Sequence, residues 1–155
     1  CRETSSVLLA FFLCGIVGTI AENILEDCDN ESPLQILVLF DILAPQEQAA
    51  SFRTQQIRIT KTLRHLDVVA SGRNRSYALI AFHRLPVVLT QLNNAAQPES
   101  LNADKLINQI EALRPRRKRR SDESSPAKAL HAAGEHTSRH GIAGAKTIVF
   151  LIHDG

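Results

Sequence analysis

Residues 35–41 read Gln-Ile-Leu-Val-Leu-Phe-Asp, an almost uninterrupted apolar run that stops at a carboxylate. A run of this length without polar alternation is typical of a strand that is buried on both faces. Residues 77–82 (YALIAF) and 147–152 (TIVFLI) have the same character. Three such strands predict a parallel sheet whose two faces are both covered.

The segments between these strands predict helices and one edge strand. Four apolar residues recur at helical spacing within residues 46–66: Phe52, Ile59, Leu63 and Leu66. Asn102 is a candidate cap for a second helix, and Ser125, which precedes a proline, is one for a third. Pro86 favours an edge strand over the short apolar run that follows it. We therefore predict an α/β fold, a doubly wound and mostly parallel sheet with helices on both faces.

Residues 7–21 form an apolar run without charge, preceded by Arg2. The run is shorter than the roughly 20 residues of a membrane-spanning helix, and Thr19 and Ala21 suit the −3 and −1 positions of a signal-peptidase site. We predict a signal peptide over residues 1–21, a linker over residues 22–33 and a secreted protein without a membrane span. A buried core helix or a signal anchor is the alternative.

Three further features fit an extracellular protein. Asn30 and Asn74 each begin an Asn-x-Ser triplet, which is the acceptor pattern for N-glycosylation. Once residues 1–21 are removed, Cys28 is the one cysteine left of three. A single secreted cysteine favours a disulfide to a partner outside this chain, and a free thiol in the linker is the alternative.

The chain has 155 residues, of which 44% are hydrophobic and 22% charged, values typical of a globular domain. Its net charge of +2 conceals one basic segment in an otherwise acidic chain. That segment follows Arg114 and contains Arg116, Arg117, Lys118, Arg119 and Arg120. It is a candidate convertase cleavage site or polyanionic-glycan patch, with a solvated loop as the default. One concentrated loop is not the broad basic face of a nucleic-acid-binding protein.

Two of the three buried strands end at a carboxylate, Asp41 or Asp154. Ligands of open parallel sheets bind beyond the carboxyl ends of the strands, where two carboxylates would suit a hard divalent cation. The sequence contains no phosphate-binding loop and no hydrolase signature, so we expect no enzymatic activity and keep a metal-dependent hydrolase as a distant alternative. His131, His136 and His140 lack a metal-binding spacing, and we expect them at the surface.

Four segments in this order resemble the von Willebrand factor A domain: residues 36–41, 77–82, 124–130 and 146–155, the last ending in Asp-Gly. The resemblance spans residues 34–155 and implies the vWA fold, which is Rossmann-like. It also implies an adhesion module that binds extracellular or cell-surface proteins. Because relatives continue beyond the strand that bears Asp154, we expect a partial domain with one flank of the sheet exposed.

By resemblance, a metal-ion-dependent adhesion site would use Asp41, Ser124 and Asp154. The two serines of the family's Asp-x-Ser-x-Ser motif are replaced by Leu43 and Pro45. The site is therefore degenerate, and we expect weak or absent dependence on a metal, with Mg²⁺ and Mn²⁺ as the candidate ions and no cofactor that is certain. The alternative function is a structural or assembly module of a larger secreted protein, linked through Cys28.

Overall fold

The computed structural model describes residues 7–11, 32–44, 49–117 and 123–153. The strands are β1 (Val7–Phe11), β2 (Leu34–Asp41), β3 (Leu43–Ala44), β4 (Arg75–Phe82), β5 (Pro86–Thr90), β6 (Arg116–Arg117) and β7 (Lys146–Ile152). The α-helices are α1 (Ala49–Val69), α2 (Ala103–Ala112) and α3 (Pro126–His140), and a 3₁₀ turn covers Pro98–Ser100.

Five strands form one sheet in the order β1-β7-β2-β4-β5, and β3 pairs with β6 in a separate two-stranded ladder. β2 lies parallel between β4 and β7, so both edges of this central strand are paired. β5 is antiparallel and lies at the edge, as Pro86 predicts. The predicted α/β fold with a mostly parallel sheet is confirmed.

Each face of the sheet has its own apolar core, because alternate residues of a strand point to opposite faces. On one face, helices α1 and α2 cover Ile36, Val38 and Phe40 of β2. On the other face, Ala129 and Ala133 of α3 pack on Leu37 and Leu39 and on their neighbours in β4 and β7. The continuous apolar run of β2 is thus explained, since every one of its residues is buried.

Local sequence patterns predict where the helices begin and end, although not always at the exact residue. The side chain of Asn102 accepts a hydrogen bond from the backbone N–H of Lys105 at 3.0 Å, which confirms the predicted cap of α2. Ser125 occupies the cap position of α3, but its side chain makes no capping hydrogen bond. Helix α1 runs to Val69 rather than to Leu66, and Gly72, with a φ of +99°, forms the turn into β4.

Strand β1 pairs in parallel with the outer edge of β7, with Val7 opposite Thr147 and Phe11 opposite Leu151. In the uncleaved chain β1 therefore covers this flank of the sheet, and the exposed flank expected after removal of residues 1–21 stays a prediction. An unpaired strand edge offers a row of backbone donors and acceptors, and an apolar segment can satisfy them. β1 lies within the predicted signal peptide, and cleavage after Ala21 stays a prediction.

His136 is buried, at 7% exposure, so its expected place at the surface is wrong. Its Nε2 accepts a hydrogen bond from the backbone N–H of Leu92 at 3.0 Å, which ties α3 to the segment after β5. Burial lowers the pKa of His136, and the neighbouring His140, whose ring centroid is 4.8 Å away, lowers it further. By contrast, the side chain of His131 is 79% exposed.

The buried His136 predicts acid sensitivity. Its pKa is lower in the folded chain than the ordinary value of 6.5, so below pH 6.5 the unfolded chain binds a proton that the folded chain does not. The free energy of unfolding should therefore fall as the pH drops from 7 through 6.5. In urea titrations, His136→Gln should flatten this dependence and His131→Gln should leave it unchanged. Equal pH profiles for the wild type and His136→Gln would contradict the prediction.

Candidate functional site

The site lies at the carboxyl edge of the sheet, where three parallel strands end. β2 ends at Asp41, β4 is followed by His83 and β7 is followed by His153. Asp41 lies opposite Phe82 in the register of β2 and β4, and Phe40 lies opposite Ile152 in that of β2 and β7. The predicted position of Asp41 at this edge is confirmed. Asp154 lies outside the described residues.

Asp41 is buried, with its side chain only 2% exposed, and both carboxylate oxygens have partners. Oδ1 accepts a hydrogen bond from the backbone N–H of Leu43 at 2.8 Å. Oδ2 lies 2.7 Å from Nδ1 of His153, whose side chain is 30% exposed. Burial of a carboxylate destabilises a fold unless hydrogen-bond partners replace its hydration. His153 and Leu43 provide those partners for Asp41.

The basic segment begins beside this carboxylate. β3, which follows Asp41 after one residue, pairs in parallel with β6, so that Leu43 lies opposite Arg116. The backbone N–H of Arg116 also donates to the carbonyl of Ile42 at 2.6 Å. Its guanidinium Nη1 lies 2.8 Å from Nε2 of His83. The loop after β2, the end of β4 and the basic segment are therefore held together at one edge.

Helix α3 starts at the same edge. The backbone N–H of Ser125 donates to the carbonyl of His83 at 2.8 Å, which fixes the first turn of α3 beside the end of β4. Ser124, the predicted hydroxyl ligand, is half-buried just before this turn. Within the described residues, no hydrogen bond joins Ser124 to Asp41. Ser124 therefore precedes a helix that begins at this edge, and its role as a hydroxyl ligand stays a prediction.

The described residues supply few ligands for the divalent ion that the resemblance implies, and the second predicted carboxylate, Asp154, lies outside them. Mg²⁺ needs several oxygen ligands in near-octahedral geometry. Leu43 is buried and supplies only a backbone N–H, and His153 occupies the free oxygen of Asp41 with a nitrogen. In the part of the chain that the structure describes, no three His, Cys, Asp or Glu side chains are grouped so as to hold a metal.

Sequence reasoning missed the two histidines that complete this edge. His153 directly follows a predicted strand, but its pairing with Asp41 depends on the register of β2 and β7. His83 directly follows a predicted strand, which is the one signal that could have identified it. Its contact with Arg116 joins residues 33 positions apart and has no local signature.

The other predicted sites are only partly described. Asn74 is exposed, and its carbonyl accepts the N–H of Leu34 at the amino end of β2, opposite the Asp41 edge. A glycan there would leave the candidate site open. Arg116 and Arg117 are exposed. Lys118, Arg119, Arg120, Cys28 and Asn30 lie outside the described residues, and the predictions for them stay predictions. None of the helices that the structure describes is long and apolar enough to cross a membrane.

No protein-family model and no curated protein matches the chain. Solved structures do match. One is proximal thread matrix protein 1 (PTMP1) from the mussel byssus, at a TM-score of 0.61 and 17% identity, covering 81% of this chain and 31% of that one. Another structure of PTMP1, described as having a zinc-occupied MIDAS motif, matches at a TM-score of 0.61 and 18% identity over 81% and 32%.

At this low identity the likeness shows the fold alone. That fold is a mostly parallel α/β sheet with helices, as the resemblance drawn from the sequence implies. The chain spans about a third of the length of the PTMP1 structures that it matches. The zinc belongs to PTMP1, and this chain's own residues at that edge are the paired Asp41 and His153.

Removal of the His153 side chain should show how strongly the buried, less well paired carboxylate of Asp41 destabilises the fold. We expect His153→Ala to lower the free energy of unfolding by about 1–3 kcal/mol, because Asp41 then loses one of its two partners. Asp41→Asn should cost less in the His153→Ala background than in the wild type, since the two side chains interact. Urea denaturation of the four chains measures both effects.

The matched control is His65→Ala, which removes an exposed histidine of α1. It should change the unfolding free energy by no more than about 0.5 kcal/mol. Strictly additive effects of the two site substitutions would contradict a direct interaction between Asp41 and His153.

Proposed function

We propose that the chain is an extracellular adhesion or assembly module that binds other proteins through the carboxyl edge of its sheet, without requiring a divalent ion. The observation that carries this proposal is that both oxygens of Asp41 already have protein partners. A cation bound to Asp41 would have to share these two oxygens with Leu43 and His153. Recognition at this edge therefore uses protein groups directly.

The extracellular setting is supported by two independent features. The fold resembles that of a matrix protein of the mussel byssus, and the sequence carries a predicted signal peptide with two glycosylation triplets. A binding role, rather than catalysis, suits an edge whose carboxylate is buried and hydrogen-bonded instead of free to act as a base. We extend this to the whole chain and propose that it is not an enzyme.

Cell-surface and matrix proteins are the ligands that we propose, and the test measures capture by them. The full chain is expressed in a secreting animal-cell line and purified from the medium. It is then passed over immobilised fibrillar collagen, fibronectin and laminin, in EDTA or in Mg²⁺ and Mn²⁺. We expect binding to at least one of them, with an affinity that EDTA changes by less than about twofold, because no ion completes the site.

Three outcomes would contradict this proposal. Retention of the chain inside the cells would contradict the extracellular setting. Binding that EDTA abolishes, or a submillimolar calorimetric affinity for Mg²⁺ that Asp41→Ala removes, would show a working metal site. Absence of binding to every immobilised protein, for a chain that unfolds cooperatively, would contradict the adhesion role.

Assembly through a disulfide of Cys28 is the second candidate function. It is favoured because Cys28 is the one cysteine in residues 22–155 and therefore has no partner for a disulfide within that range. A disulfide-linked multimer would appear as a mass that falls on reduction, and Cys28→Ser would prevent it. A monomer by mass under both conditions, together with capture of a matrix protein, would favour adhesion over assembly.

A further inference from the structure

The loop that replaces the family's hydroxyl ligands is bound to a pair of arginines. In the ladder of β3 and β6, Leu43 lies opposite Arg116 and Ala44 lies opposite Arg117. Leu43 stands at the position of the first lost serine. Backbone pairing, together with the 2.6 Å hydrogen bond from Arg116 N–H to the carbonyl of Ile42, therefore fixes the backbone of two cationic residues beside the loop in which the resemblance expects metal ligands.

The side chain of Arg116 is also held in place. Its Nη1 can only donate, so Nε2 of His83, at 2.8 Å, accepts and the ring's proton is on Nδ1. Nδ1 of His83 is buried and has no partner among the described residues. Arg116 nevertheless remains exposed, so its other guanidinium N–H groups face solvent. A guanidinium that is already positioned loses less side-chain entropy when it binds an anion.

The described carboxylates do not neutralise these arginines by ion pairing. The ion pairs within the described part of the chain involve Arg75, Arg139, His131 and His153, and neither Arg116 nor Arg117 has a carboxylate partner there. Asp41, the nearest described carboxylate along the paired segment, is buried and bonded. Helix α3 also begins at this edge without an acidic residue in its first turn, so its amino end adds positive potential.

We propose that Arg116 and Arg117 bind the carboxylates of an acidic protein segment, which makes them a fixed replacement for the positive charge of a metal ion. This inference rests on the proposed function and names the chemistry of its ligand. An acidic peptide is favoured over a sulfated glycan because the guanidinium of Arg116, which His83 holds in place, suits bidentate pairing with a single carboxylate.

The test uses the full secreted chain and a fluorescein-labelled peptide of ten alternating Asp and Glu residues. Fluorescence anisotropy is measured in EDTA at 150 mM NaCl, a salt concentration at which unspecific surface attraction is weakened. The double variant Arg116→Gln/Arg117→Gln should weaken binding at least about tenfold. The matched control Arg58→Gln/Arg64→Gln removes two exposed charges from α1 and should change binding by less than about twofold.

A second comparison separates charge from geometry. Arg116→Lys retains the charge but cannot pair with a carboxylate in bidentate fashion. Its affinity for the peptide should therefore lie between that of the wild type and that of Arg116→Gln/Arg117→Gln. A peptide in which Asn and Gln replace the acidic residues should not bind. Circular dichroism and a melting temperature within a few degrees of the wild type confirm that each variant is folded.

Several results would overturn the inference. Equal losses in the Arg116/Arg117 and Arg58/Arg64 variants would show general electrostatic attraction, and binding of a heparin oligosaccharide but not of the peptide would assign the site to glycans. Capture of a matrix protein that Arg116→Gln/Arg117→Gln leaves unchanged would overturn this inference alone. Peptide binding without capture of any matrix protein would contradict the proposed function and leave the arginine site standing.

Discussion

The structure depends on one constraint: β2 is buried on both faces and hydrogen-bonded along both edges. Its parallel pairing with β4 and β7 satisfies the backbone groups of a strand from which water is excluded. Parallel pairing also forces all three strands to end at the same edge. The meeting of Asp41, His83 and His153 is a consequence of that topology, and so is the position of the amino end of α3.

The same constraint explains which parts of the fold are visible in the sequence. A strand buried on both faces must be apolar throughout, so residues 35–40 and 147–152 carry their own signal. Helix α2 is equally predictable, because Asn102 caps it and its buried residues Leu106, Ile107 and Ile110 recur at helical spacing. These elements are determined by local patterns that the tertiary structure then reinforces, and their predicted order survives in the fold.

What the sequence does not reveal depends on pairs that are distant along the chain. β3 and β6 are two residues long and have no periodicity of their own, so their ladder cannot be read locally. The residues around His136 in the sequence are typical of a surface helix. The hydrogen bond that its ring accepts from the backbone N–H of Leu92 is visible only in the folded structure. Residues 7–11 have the same apolar character as a strand and as a signal peptide, and pattern alone does not separate the two.

The chemistry of the edge follows from what a buried carboxylate requires. Asp41 must have partners, and a divalent cation with hydroxyl ligands is one solution. In this chain a backbone N–H and an imidazole nitrogen provide another. Leu43 is buried, its backbone N–H donates to Asp41, and its strand pairs with that of Arg116. The loop that satisfies the buried carboxylate is therefore the same loop that positions the start of the basic segment.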